Sequence, residues 1–302
     1  MPTDAPAIRL TPHARLPRPY RDLHVLHSTV DAYGRAHWLL TERPPGRPPG
    51  RRVRKPYDAV AVTVEDGRSY ETRLSALQAH HPVFDALPDG GFVVADARSR
   101  RSEEHVQVFD VLGRSSWTFR VGDAIQDLLV DENGDIWVGY FDEGVYGDDE
   151  LSHPGLRRWS STGDPLWEYG IGPDHGEISD CYALNVDGRA AWACPYQDFP
   201  LLEIRDGRVV RTRRNPVHGA SAFALHAGRV VFYGPHGDDR NQLVDCRLTW
   251  NAVEPVTHTR LVRPDGTDIG VRDVVCRGPR IYVLEDPYTE WGVLDVRTTW
   301  AS

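Results

Sequence analysis

The stretch IQDLLVDENGDIWVGYFD (125–142) reads as a short apolar strand, a turn carrying Gly134, and a second strand with Trp137 near its centre. A tight hairpin turn needs a residue at positive φ, which glycine adopts at little cost. The aromatic on the returning strand suits packing between two sheets. Such a hairpin cannot bury both faces alone, so the next question is whether it recurs along the chain.

It recurs five more times: LHSTVDAYGRAHWLL (26–40), VFDALPDGGFVVAD (83–96), ISDCYALNVDGRAAWACPY (178–196), SAFALHAGRVVFYG (221–234) and VRDVVCRGPRIYVLED (271–286). The turn glycines are Gly34, Gly91, Gly134, Gly188, Gly228 and Gly278. The aromatics behind them are Trp38, Phe92, Trp137, Trp192, Phe232 and Tyr282, expected to pack between neighbouring sheets. A weaker hairpin follows each of the first five, as in VQVFDVLGRSSWTFRVG (106–122) and LRRWSSTGDPLWEYGIG (156–172). Two hairpins per unit make the four antiparallel strands of a propeller blade.

The expectation is therefore an all-β, six-bladed β-propeller of four-stranded antiparallel blades in one domain. The blades are placed at 20–80, 81–123, 124–175, 176–217, 218–268 and 269–302. The sixth unit runs out of chain after its third strand, so an N-terminal strand is expected to close the ring. The apolar stretch 7–10 is assigned that role, because closure removes an open edge.

Residues 125–145 resemble the repeat of the two-component-regulator propellers, through Asp131, Gly134, Ile136, Trp137, Val138 and Gly139. Tyr140 stands where a Thr is usual in that repeat. The layout is also similar to the NHL and gluconolactonase-like six-bladed propellers. That second resemblance implies a central divalent metal that polarises a carbonyl and activates water. The Glu-Gly-Pro and Asn-Gly openings of the gluconolactonase-like blades are absent here.

The net charge is −9, and the excess of acid falls outside the cationic first sixty residues. An acidic body excludes a general nucleic-acid binder, which needs a basic face. No run approaches the roughly 18 apolar residues of a membrane span, and the Pro- and Arg-rich start lacks the apolar core of a signal peptide. The four cysteines, Cys181, Cys194, Cys246 and Cys276, form no CxxC pair. Cytoplasmic localisation with buried thiols follows. Cys181 and Cys194, symmetric about the 187–188 turn, are expected to face each other.

In a propeller the innermost strand starts, and the second strand ends, on one face around the channel. The candidate ligand-binding residues on that face are His27, Asp85, Asp127, Asp142, Asp180, Tyr196, His218, His236, Asp273 and Glu285. Asp85, Asp127, Asp180 and Asp273 are the candidate metal ligands, for Ca, Mg or Zn. Repelling carboxylates must protonate, pair with arginine or hold a cation. The competing reading is structural, since an Asp at a strand start also caps nearby backbone N–H groups.

No contiguous metal motif, GxSxG elbow, phosphate loop or dinucleotide glycine pattern is present, so no nucleotide cofactor is expected. Two function classes remain. One is an acidic, His-lined pocket for a small cationic or metal-bound ligand, with metal-assisted hydrolase or lyase chemistry if it is an enzyme. The other is a non-catalytic scaffold or sensor that recruits a protein partner on its channel-mouth loops. The Pro/Gly/Arg loop 42–55 reads as a solvated surface loop or a guard of the pocket mouth.

Overall fold

A computed structural model describes residues 7–46, 55–99, 103–172, 174–188, 190–237 and 239–300. Most of the loop 42–55 lies outside them. The fold is a six-bladed β-propeller. Its helices are single turns, and no described helix is long and apolar enough to cross a membrane.

The chain divides into two compact units, 15–170 and 171–302 with the N-terminal segment to residue 14. In the first unit, blade one is His24–Val30, Ala36–Thr41, Tyr57–Glu65 and Arg68–Leu77. Blade two is Pro82–Ala86, Phe92–Asp96, Val106–Phe109 and Ser115–Phe119. Blade three is Ile125–Val130, Ile136–Tyr140, Leu156–Trp159 and Pro165–Glu168. Apolar side chains interdigitate between adjacent blades: Leu39, Leu74, Phe84, Phe92 and Phe109 between one and two, and Val93, Val106, Leu128, Ile136 and Trp159 between two and three.

In the second unit, blade four is Leu184–Asp187, Ala190–Ala193, Leu201–Arg205 and Arg208–Arg213. Blade five is Ala222–His226, Arg229–Tyr233, Gln242–Leu248 and Val253–Val262. Blade six is Arg272–Arg277, Arg280–Glu285 and Glu290–Asp295, completed by the N-terminal strand Thr11–Arg15. An N-terminal strand does join blade six, but it is this one and not residues 7–10. Ala7–Arg9 instead lies parallel on the outer edge of blade five, pairing Ala7 with Arg260 and Arg9 with Val262. Leu10, between the two strands, is buried in the core shared by blades five and six.

Five of the six recurring aromatics, Trp38, Phe92, Trp137, Phe232 and Tyr282, are buried as expected. Trp192 is half-buried, with the Arg205 guanidinium 5.6 Å from its ring centre. The two units close their inner hairpins differently. Blades one to three use five-residue turns, leaving Val30 opposite Ala36, Ala86 opposite Phe92 and Val130 opposite Ile136. Blades four to six close with two-residue turns, at Asp187 and Ala190, His226 and Arg229, and Arg277 and Arg280.

An aspartate organises two of the long turns. Asp31 Oδ1 accepts the N–H groups of Tyr33 and Arg35, both at 2.9 Å. Asp131 Oδ1 accepts those of Asn133 at 2.9 Å and Asp135 at 3.1 Å. The second oxygen of each reaches six residues on, to His37 Nε2 at 3.0 Å and Trp137 Nε1 at 3.1 Å. The D-x-x-G pattern thus fixes both the turn and the buried ring behind it. In blade two the residue at positive φ is Gly90 rather than Gly91. Gly91 is instead a close approach, since a Cβ there would fall 2.3 Å from the Phe109 carbonyl oxygen.

All four cysteines are buried and none is in a disulfide. Cys194 lies opposite Ala183, donating its N–H to that carbonyl at 2.9 Å, so it does not face Cys181. The blade-four turn closes one residue later than the symmetric reading requires.

Candidate functional site

Four candidate residues belong to blades one to three. Asp85 is fully buried on its inner strand. Its Oδ1 accepts the N–H of Ala86 at 2.9 Å, and its Oδ2 that of Val130 at 2.7 Å. The carboxylate therefore pins the inner strand of blade two to that of blade three. His27 and Asp127 occupy equivalent bulges on the inner strands of blades one and three. The His27 ring meets Phe84 edge-on, with centroids 5.7 Å apart, and burial lowers its pKa to about 4. It is neutral at physiological pH. Asp142 is exposed at the start of the turn Asp142–Val145, where its Oδ1 accepts the Glu143 N–H at 2.7 Å.

The other six belong to blades four to six. Asp180 and Tyr196 form a backbone bridge, the Tyr196 N–H donating to the Asp180 carbonyl at 2.9 Å. Asp273 sits opposite Leu284, and desolvation raises its carboxyl pKa. Burial would also raise that of Glu285, but Arg263 outweighs it and holds the group low. Arg263 Nε donates to Glu285 at 2.7 Å, and the Gly270 N–H does so at 2.5 Å. Glu285 is thus a loop tie.

Tyr196, His218 and His236 do come together, around Phe199. Its ring lies 5.6 Å from Tyr196, 5.3 Å from His218 in a stacked arrangement, and 5.5 Å from His236. Tyr182 completes the group at 5.0 Å from Phe199 and 5.6 Å from His236. Gly219 makes room for this arrangement. A Cβ there would lie 1.9 Å from the His236 ring. Among the described residues, no three His, Cys, Asp or Glu side chains form a group that could hold a metal ion.

Tyr182 and His236 line a groove of about 960 Å³ at the ends of blades five and six. Arg240, Arg260 and Arg272 also line it, with Asp239 and Asp268. Asn241 is buried at its base and joins two loops, accepting from the Tyr233 hydroxyl at 3.2 Å and donating to the Ile269 carbonyl at 2.9 Å. Both carboxylates are taken by Arg260, which reaches Asp239 at 2.6 Å and Asp268 at 3.1 Å.

Arg272 is held differently. It donates to the carbonyls of Gly270, at 3.2 Å, and Arg240, while its guanidinium lies 4.7 Å from the centre of the Tyr233 ring. The carboxylate that feels its charge, Glu285, is already bonded to Arg263. The sequence pointed to His236 and its neighbours but missed these arginines. Arg240 stands on a loop, and Arg260 and Arg272 stand near strand ends, where the apolar alternation of the strand carries no signal for them. What could have found them is the arginine-rich spacing of Arg260, Arg263 and Arg272 around a Gly-containing loop.

No protein-family model matches this sequence, and no curated protein does. Solved structures do resemble the fold. Hsv2 from Kluyveromyces lactis superposes with a TM-score of 0.52 at 9% identity, over 91% of this chain and 75% of that one. A functionally unknown protein from Desulfotomaculum acetoxidans gives 0.51 at 10% identity, over 91% and 83%. At these identities the likeness concerns the fold alone.

Proposed function

We propose that this propeller is a non-catalytic binding protein that takes a small, flat, anionic ligand in the groove of blades five and six. The observation that carries this reading is Arg272, a guanidinium fixed by two carbonyls and the Tyr233 ring, lining a groove of ligand size. A guanidinium already held in position binds carboxylate or phosphate through paired hydrogen bonds with little further ordering. Tyr182 and His236 offer the ring wall against which a flat ligand stacks. The sign is opposite to the cationic ligand expected from the aspartates, because the groove's two carboxylates are already paired with Arg260.

Calorimetric titration with phenyl phosphate, phenylacetate and benzylamine tests the proposal and separates phosphate from carboxylate as the preferred group. At least one anion should bind and benzylamine should not. Arg272→Gln should weaken the anion about tenfold, the loss of one charge-assisted hydrogen bond. Preferential binding of benzylamine, or an unchanged affinity in Arg272→Gln, refutes it.

A further inference from the structure

A second groove, of about 590 Å³, runs beside the outer strand of blade four. It is lined by Val210, Arg211, Thr212 and Arg214 from that strand and its exit, and by Trp250 from the neighbouring turn of blade five. Asp174 and Asp198 also line it. The strand Arg208–Arg213 is the last of its sheet, so its outward backbone groups have no strand partner among the described residues. The comparable edge of blade five is covered by Ala7–Arg9, laid parallel along it. The molecule itself thus shows the geometry by which an extended segment adds to a blade.

Two further features give the edge a chemical preference. Arg213 is consumed within the blade, pairing with Glu203 at 3.0 Å and donating to the Thr249 carbonyl at 2.9 Å. Arg208, Arg211 and Arg214 make no ion pair among the described residues, so the edge offers three cations to a partner. The second feature is Trp250, which is 77% exposed yet rigidly placed. Its turn is fastened to the blade-four strand by Arg214 N–H to the Asn251 carbonyl at 3.0 Å and Val253 N–H to the Arg214 carbonyl at 2.8 Å. The Arg211 guanidinium stacks 3.9 Å from the centre of the indole.

Arginine on an open edge also discourages edges from pairing with one another. A fixed, exposed indole beside it has no use in that role and is the kind of anchor found at interaction sites. We infer that the outer edge of blade four binds an acidic extended peptide by strand addition. Backbone hydrogen bonds to Arg208–Arg213 supply the pairing, carboxylates meet Arg211 and its neighbours, and apolar side chains pack on Trp250 and Val210.

The test is fluorescence anisotropy with a fluorescein-labelled hexapeptide of alternating Asp and Val. Its Lys/Val counterpart and a form N-methylated at alternate amides serve as comparisons. The Asp/Val peptide should bind, and both comparison peptides should bind at least about tenfold more weakly, since one loses charge and the other backbone donors. Trp250→Ala and Arg211→Gln should each weaken binding, while Arg211→Lys, which keeps the charge but loses the planar stack, should fall between Arg211→Gln and the unsubstituted chain. Equal binding of the N-methylated peptide overturns strand addition. Equal binding of the Lys/Val peptide overturns the acidic preference. Failure of the Asp/Val peptide to bind overturns the proposal outright. Concentration-dependent dimerisation that Trp250→Ala abolishes would assign the edge to a second copy of the chain instead, and would likewise overturn it.

Discussion

Asp31→Asn separates the structural use of these carboxylates from any other. Asp31 is 1% exposed and makes four contacts: two turn N–H groups, His37 Nε2 at 3.0 Å and Arg35 Nε at 2.6 Å. Burial alone would raise its pKa, but His37 and Arg35 outweigh burial and bring it from 3.8 to about 2. Each tenfold change in acidity is worth about 1.4 kcal/mol, so the charged carboxylate stabilises the fold by about 2 kcal/mol. The sign follows from the direction of the shift. The unfolded chain takes up the proton near pH 4 and the folded chain near pH 2. The stabilisation is therefore complete above pH 4 and is lost as pH falls through 2. The asparagine variant keeps an acceptor for the turn but has no proton to take up. Urea unfolding followed by tryptophan fluorescence, at steps from pH 7 to pH 2, should show the stability difference between the two chains shrinking by about 2 kcal/mol below pH 4. A difference that stays constant down to pH 2 refutes the ionic account and leaves hydrogen-bond geometry as the whole effect.

The same titration reports His27 in a separate window. Its pKa falls from 6.5 to about 4 on burial, so the folded chain resists a proton that the unfolded chain accepts, and stability declines as pH drops from 6.5 through 4. His27→Gln should remove a loss of about 3 kcal/mol across that interval, and an unchanged pH profile would contradict it. Asp85→Ala should destabilise by about 1–3 kcal/mol, because the Val130 N–H loses its acceptor in a buried site. Asp85→Asn should lose less, and a gain in stability there would mean that like-charge repulsion exceeds the two hydrogen bonds.

The blades were legible because the hairpin chemistry is local. Asp31, Gly34 and His37, or Asp131, Gly134 and Trp137, lie within seven residues, so turn, φ requirement and buried ring appear together in the sequence. Strand Thr11–Arg15 was not legible, since its residues are mostly exposed and show no apolar alternation. Ala7–Leu10 looked like the better strand, yet Leu10 is buried at the junction between two edge strands. Which edge each strand joins is decided by partners some 250 residues away, such as Arg260 and Val262 for Ala7–Arg9. The gathering of His218, His236 and Tyr196 was partly legible, because each stands at a strand end or entering loop. Their common centre, Phe199, was not, because a loop residue at positive φ gives no periodic signal.

The placement of charge gives a structural use for some of the carboxylates near strand ends. A carboxylate beside a strand start is close to backbone N–H groups that need acceptors, and Asp85 satisfies two of them. Asp96 does the same for His80, His81 and Arg98. These two carboxylates are stabilised in place by backbone donors. Other carboxylates pair with arginine as well, as Asp239, Asp268 and Glu285 do. Where arginines outnumber the carboxylates within reach, the surplus must be held by carbonyls and rings. Arg272 over Tyr233 and Arg211 over Trp250 are the two places where that surplus borders a groove. In a chain of net charge −9, the informative charges are therefore the unpaired cations rather than the abundant acids.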